Sequence, residues 1–176
     1  VPTVDDSTRA SSGRHVGILV DDGPVWRTAA AAIWSAATAH RDGSVSVPPA
    51  SESRPIIDTA LREPHSVLLN AVADGAPLGF AILDGCVDAA TVHYLAVDPE
   101  AWGRRVATRL LDAAAHLAQQ RSHPSVDLWV YSDNTRAVEV YERNGWLPTS
   151  EVRVHPRSGR QEHRRRRMLS RPVGGA

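Results

Sequence analysis

Lysine is absent from this chain of 176 residues, and all twenty basic side chains are arginine. Such a bias is better explained by GC-rich coding than by a physical requirement. Twenty acidic residues balance the arginines, so the formal net charge is zero and no global field draws the protein to nucleic acid or an anionic membrane. The single cysteine, Cys86, excludes an intramolecular disulfide. No run approaches the roughly 18 to 20 apolar residues of a spanning helix, and nothing at the start resembles an apolar signal segment. A cytoplasmic location is therefore expected. With 42% hydrophobic residues the chain can bury one full core.

The polar segment 1–14 is expected to be disordered, 15–170 to form a single domain and 171–176 to be a flexible tail. His15 to Val20 reads as a short strand. Asp21-Asp22-Gly23-Pro24 signals a helix start, and Trp26, Ala30, Ile33, Trp34 and Ala37 form one apolar stripe running to about His40. Arg41 to Ala50 is a loop by its Ser, Pro and Gly content. A short helix begins at Pro55 and stops before Pro64, with Ile56, Ile57, Ala60 and Leu61 on its inner face. Ser66 to Ala73 and Leu78 to Leu83 read as strands joined through Asp74-Gly75, and Asp84-Gly85 turns into a strand from about Ala89 to Val97. Val126 to Tyr131 follows across a helix, giving one parallel crossover. Val152 to His155 and Gln161 to Leu169 form a closing pair. There is no internal repeat.

Two stretches carry the chemistry. In Leu95 to Leu111, apolar Val92, Leu95 and Val97 run into Asp98-Pro99, a glycine-containing turn follows, and Val106, Ala107, Leu110, Leu111 and Ala114 recur at helical spacing. Unpaired amides at such a helix start favour an anion such as a pyrophosphate, so part of a cofactor site is expected. In Leu128 to Trp146, a helix from Asn134 to Asn144 is entered from Ser132 and Asp133 and ended by Gly145 as a left-handed cap. Asn134 and Tyr141, seven residues apart, fall on nearly the same face and can line one groove.

Both stretches resemble the cofactor-binding core of the GNAT superfamily of acyl-CoA-dependent N-acetyltransferases. The turn motif Q/R-x-x-G-x-G/A aligns with Trp102, Gly103, Arg104, Arg105, Val106 and Ala107. Trp102 stands where Gln or Arg is usual, Arg105 where the central glycine is usual, and Ala107 fits. The later motif N-x-x-A-x-x-x-Y-E-x-x-G-W matches at Asn134, Ala137, Tyr141, Glu142, Gly145 and Trp146. The resemblance implies an α/β (α+β) fold: a mixed, mostly antiparallel central sheet with one parallel crossover and helices on both faces. It also implies acetyl-CoA as cosubstrate, with no metal and no covalent enzyme intermediate, and acetyl transfer to a primary amine. The acceptor would be a small molecule or a peptide amine, with neither nucleic acid nor membrane as partner; a homodimer stays open. A catalytically weak module that holds or senses acyl-CoA is the alternative. Self-acetylation on a lysine side chain is excluded.

By this resemblance the cofactor contacts are Leu95, Ala96, Val97, Trp102, Gly103, Arg104, Arg105, Val106, Ala107, Thr108, Asn134, Ala137 and Tyr141. Tyr141 is placed to protonate the departing thiolate, as suits a phenol with a pKa near ~10, or else simply packs against the sheet. Asn134 serves as helix cap, cofactor contact or both. The Arg105 guanidinium either pairs with a cofactor phosphate or fills the groove. A backbone amide near Leu95 to Val97, where GNAT strands carry a bulge, would meet the oxyanion. For the general base, many relatives carry a glutamate where this chain has Thr91, which cannot act as one. His93 lies two residues on, faces the same side by strand alternation and carries an imidazole, a side chain able to act as a base. A structural role for His93, or Glu100, Asp98 or a water chain as base, stays open. Cys86 sits in a turn with no histidine beside it and is not expected to be a nucleophile. The run Arg164 to Arg167 reads as a solvated edge with salt links to Glu162 or Glu151, not as a nucleic-acid surface, because no aromatic interleaves it.

Overall fold

The computed structural model describes residues 15–85 and 90–170. The segments expected to be disordered, 1–14 and 171–176, lie outside the described residues, as does Cys86. The elements are β1 (Gly17–Val20), α1 (Pro24–Arg41), α2 (Ala50–Ala60), β2 (Val67–Ala73), β3 (Ala76–Gly85), β4 (Ala90–Val97), α3 (Val106–Gln120), β5 (Ser125–Tyr131), α4 (Thr135–Arg143), β6 (Leu147–Val154) and β7 (Gln161–Met168), with a short 3-10 turn at Pro99–Ala101. The seven strands form one sheet in the order β1-β2-β3-β4-β5-β7-β6. Every neighbouring pair is antiparallel except β4 with β5. No described helix is long and apolar enough to cross a membrane.

Alternation along the inner strands sends side chains to two apolar layers. On one face, Leu68, Phe80, Ile82 and Ala96 pack against Ala30, Ala31 and Ile33 of α1 and Ile57 and Ala60 of α2. On the other, Leu69, Ala81, Leu83, Val92, Val126 and Leu128 meet Val106, Leu110, Leu111 and Ala114 of α3, and Tyr141 and Trp146 complete the layer. Gly79 lets α3 sit close. A Cβ there would stand 2.9 Å from the Ala96 carbonyl oxygen, 3.0 Å from Val106 Cγ1 and 3.2 Å from Leu110 Cδ1.

Several boundaries differ from the sequence reading. Helix α2 begins at Ala50, with Pro55 inside it rather than at its start. Pro55 has no N–H and so forgoes one main-chain bond, and its ring is exposed. Asp84-Gly85 is not a turn; it extends β3, pairing with Thr91 and Ala90. Strand β6 starts at Leu147, five residues ahead of the expected Val152, after its pairing with β7 shifts register between Pro148 and Val152. Of Ser132, Asp133 and Asn134, all candidates for the cap of α4, it is Asn134 that serves: its side chain accepts from the Ala137 N–H at 3.3 Å, while Asp133 is held by Arg160 at 2.6 Å.

The arginine run also lies elsewhere than expected. β7 is an interior strand, flanked by β5 and β6. Arg164 and Arg166 both grip Asp127, which is buried, and Arg164 also reaches Glu151 at 2.7 Å. Arg165, itself buried, pairs with Glu142, and Arg167 with Asp112. Glu162 serves Arg153 instead, at 2.7 Å. These guanidiniums are committed to carboxylates of the same chain.

Gly79→Val is expected to lower stability by about 1–3 kcal/mol, because the Ala96 carbonyl and the α3 side chains must move to admit it. A chemical-denaturation midpoint checks this. An unchanged midpoint would show that α3 is not seated on β3 as described.

Candidate active site

The site begins where the sheet comes apart. β4 and β5 pair only from Ala90 with Val126 to Val92 with Leu128, although β4 runs on to Val97 and β5 to Tyr131. The Asp98 N–H bonds back to the Leu78 carbonyl at 2.9 Å. By alternation, Val97 and Leu95 therefore turn their own peptide groups away from β3, toward the gap. Leu95, Ala96 and Val97 line a cleft of about 510 Å³ there, together with Asn134, Ala137 and Tyr141 of the α4 segment. Asn134 and Tyr141 thus share one groove, as their spacing predicts, and Asn134 caps its helix at the same time.

The cleft continues into a second basin of about 700 Å³ lined by Trp102, Gly103, Arg105, Val106, Ala107 and Thr108. Arg104, expected here, does not line it. Helix α3 opens with its amides toward this basin: the Arg109 N–H bonds to the Arg105 carbonyl at 3.1 Å, so those of Val106, Ala107 and Thr108 precede the first such bond. Gly103 has φ +79° and Arg105 φ +59°, ψ +21°, both left-handed. Arg105 therefore keeps the backbone that glycine would supply, at a local cost of about 1–2 kcal/mol.

Three arginines on this basin, Arg105, Arg136 and Arg143, have no carboxylate within ion-pair distance among the described residues, unlike those of β7. Their charge is available to an anion. Arg136 lies over the Trp102 ring, 3.7 Å from its centre, and Trp102 Nε1 donates to the Val97 carbonyl at 2.9 Å. Trp102 is thus a wall shared by both basins. The sequence reading missed Arg136 and Arg143; both sit on the exposed side of α4, and only the folded position of α4 against α3 brings them in. Asn144 marks that contact, donating to Thr108 Oγ1 at 3.3 Å. Amides at a helix start and unpaired guanidiniums together suit a pyrophosphate-bearing group.

Tyr141 stands at the other end, buried at 8% exposure, and burial pushes its phenol up to about 12 although Arg165 pulls the other way. The proton is firmly held at neutral pH. Beyond Tyr141 a third, more polar trough of about 660 Å³ opens, lined by Tyr141, Leu95, Thr91 and His93, by Glu52 of α2, and by Arg153 and Glu162 of the outer hairpin. His93 Nε2 lies 3.2 Å from Asp84 Oδ2. Tyr141 and His93 therefore face one cavity, whereas Asp98 and Glu100 do not line it. The Asp98 side chain is occupied instead, accepting from the Glu100 N–H at 3.0 Å.

The strand irregularity expected at Leu95 to Val97 lies earlier. Ile82 opposes Tyr94 and Leu83 opposes Val92, so His93 is the extra residue of a bulge. Helix α1 adds Trp34, Thr38 and Arg41 to the walls. No motif marks these residues, because α1 reads in sequence only as an apolar stripe.

Comparison with known proteins agrees with this architecture. The mycothiol acetyltransferase of Clavibacter sepedonicus is 41% identical over 81 residues, covering 46% of this chain and 27% of that protein. The chain thus matches only about a quarter of that relative's length. The ribosomal-protein-S18-alanine N-acetyltransferase from Escherichia coli superposes with a TM-score of 0.70 at 16% identity, over 92% of this chain and 99% of that one. The yncA protein of Salmonella typhimurium, solved with its cofactor acetyl-CoA, gives 0.63 at 14% identity, over 92% and 98%. At such identity these two speak for the fold alone. The acetyltransferase (GNAT) family matches residues 31–146, well over half the sequence and the stretch that holds both basins' α3 and α4 walls, and the chain belongs to that family.

Proposed function

We propose that the protein is an N-acetyltransferase that moves an acetyl group from acetyl-CoA to a primary amine by direct attack. One observation carries this reading: a continuous cleft joins the anion-suited start of α3 to a polar trough, with the buried Tyr141 phenol where they meet. The amides of Val106, Ala107 and Thr108 hold the pyrophosphate, and Arg105, Arg136 and Arg143 screen its charge. Leu95 to Val97 flank the thioester, and a backbone amide there meets the oxyanion.

An acceptor ammonium entering the trough gives one proton to His93. The free amine attacks the thioester carbonyl, forming the C–N bond. As the C–S bond breaks, Tyr141 protonates the leaving thiolate, and the surplus proton on nitrogen returns to the phenolate. The products are the amide, the free thiol and one proton on the imidazole.

Calorimetry with acetyl-CoA and with pantetheine tests the cradle. Acetyl-CoA is expected to bind more tightly, because pantetheine lacks the pyrophosphate; equal affinity removes the cradle. Free-thiol release over a panel of primary amines, namely an amino sugar, a diamine and a peptide amine, then tests turnover. Binding without turnover on any of them is the behaviour of an acyl-CoA-holding module.

Arg105→Gly is expected to raise the thermal midpoint slightly, since the left-handed strain disappears, and to weaken acetyl-CoA binding at low salt. Tighter binding would assign Arg105 to obstruction.

Tyr141→Phe is expected to keep acetyl-CoA affinity and lower turnover by roughly 10²- to 10⁴-fold. The variant has a second signature. A buried phenol raised to about 12 contributes its full stability below the unfolded value near ~10 and loses it as pH climbs toward 12. The phenylalanine variant should therefore lose less stability than the parent between pH ~10 and ~12, as read by denaturant melts.

A further inference from the structure

The bulge at His93 and the extension of β3 through Asp84 bring together two residues that the acetyl-transfer reading uses only in part. Asp84 and Ile82 are two apart on β3 and share a face; Ile82 packs in the layer under α1 and α2 together with Tyr94. Regular alternation would place only one of His93 and Tyr94 on that face. The bulge sets both opposite Ile82, and His93 Nε2 reaches Asp84 Oδ2 at 3.2 Å. The Asp84 side chain is 12% exposed, whereas that of His93 is 41% exposed. The carboxylate is thus fixed within the sheet and the imidazole reaches from it into the trough.

We propose that Asp84 is a positioning residue that holds the His93 imidazole as the proton acceptor for the incoming amine, an inference that rests on the acetyl-transfer reading above. A carboxylate accepts only, so the neutral imidazole must present Nε2–H to it, which leaves Nδ1 with the lone pair. The proton leaves the acceptor ammonium for Nδ1, and Asp84 stabilises the imidazolium that forms without taking the proton itself. The other charged groups round the trough are worse placed for this work. Glu162 already accepts from Arg153 at 2.7 Å. Arg41 and Arg157 cannot take a proton, His155 accepts from the Ser158 N–H through Nδ1 at 3.2 Å, and Glu52 is exposed on α2 with no side-chain partner among the described residues.

The test is a cycle of Asp84→Asn, His93→Ala and the double variant, read with acetyl-CoA and the fastest amine of the panel, and with acetyl-CoA calorimetry on each protein. Asp84→Asn is expected to lower kcat roughly 10-fold or more with acetyl-CoA affinity unchanged, and to cost nothing further in the His93→Ala background. An equal loss in both backgrounds would show that Asp84 acts structurally and overturn the proposal. So would full activity in His93→Ala with loss in Glu52→Gln. A second measurement needs no acceptor and no variant. Nitrogen NMR of the neutral His93 ring should show the Nε2–H form; the Nδ1–H form would overturn the proposal. Absence of acetyl-CoA binding in the parent protein, by contrast, would defeat the acetyl-transfer reading and leave the ring's tautomer to be judged on its own.

Discussion

Between β4 and β5 the parallel ladder runs for three residue pairs, from Ala90 with Val126 to Val92 with Leu128, and then stops. Each strand keeps its other neighbour past that point: β4 stays on β3 as far as Val97, and β5 stays on β7 as far as Tyr131. Main-chain groups that would otherwise bond across the sheet are thereby turned to a gap. Everything assigned to the cleft uses this parting. The start of α3 faces one end of it, Tyr141 fills its buried edge, and the trough opens past His93.

The sheet on either side of the parting is braced by unlike means. On the β4 side it is close packing, with α3 drawn onto β3 where Gly79 has no side chain. On the β5 side it is charge: buried Asp127 opposes Arg166 across the β5–β7 ladder and is held by both Arg164 and Arg166. A carboxylate this buried is tolerable only because it is paired, and removing one partner of such a pair typically costs several kcal/mol. The arginine run is best understood as part of the sheet's frame.

The later motif was readable because its residues act locally. Asn134 caps its own helix and Tyr141 lies two turns on, so helical spacing alone brings them into one groove. The turn at Trp102 to Thr108 was readable in outline for the same reason. What sequence could not show depends on partners far along the chain. Asp84 looked like a turn because Asp-Gly is a turn signal, and only its pairing with Thr91 makes it a strand residue facing His93. Arg136 and Arg143 have no pattern of their own. They reach the cleft because α4 lies beside α3. Pro55 misled in the opposite way, since a proline on the exposed side of a helix can sit inside it.

Arg105 has a wider meaning. At the position where glycine is usual, this chain adopts the left-handed backbone with an ordinary side chain, and the amides beyond it still open toward the cleft. The chemistry of the turn is therefore written in its torsion angles, and the letter at that position is one of several spellings. A pattern that insists on glycine there would pass over this chain, although its turn keeps the left-handed backbone.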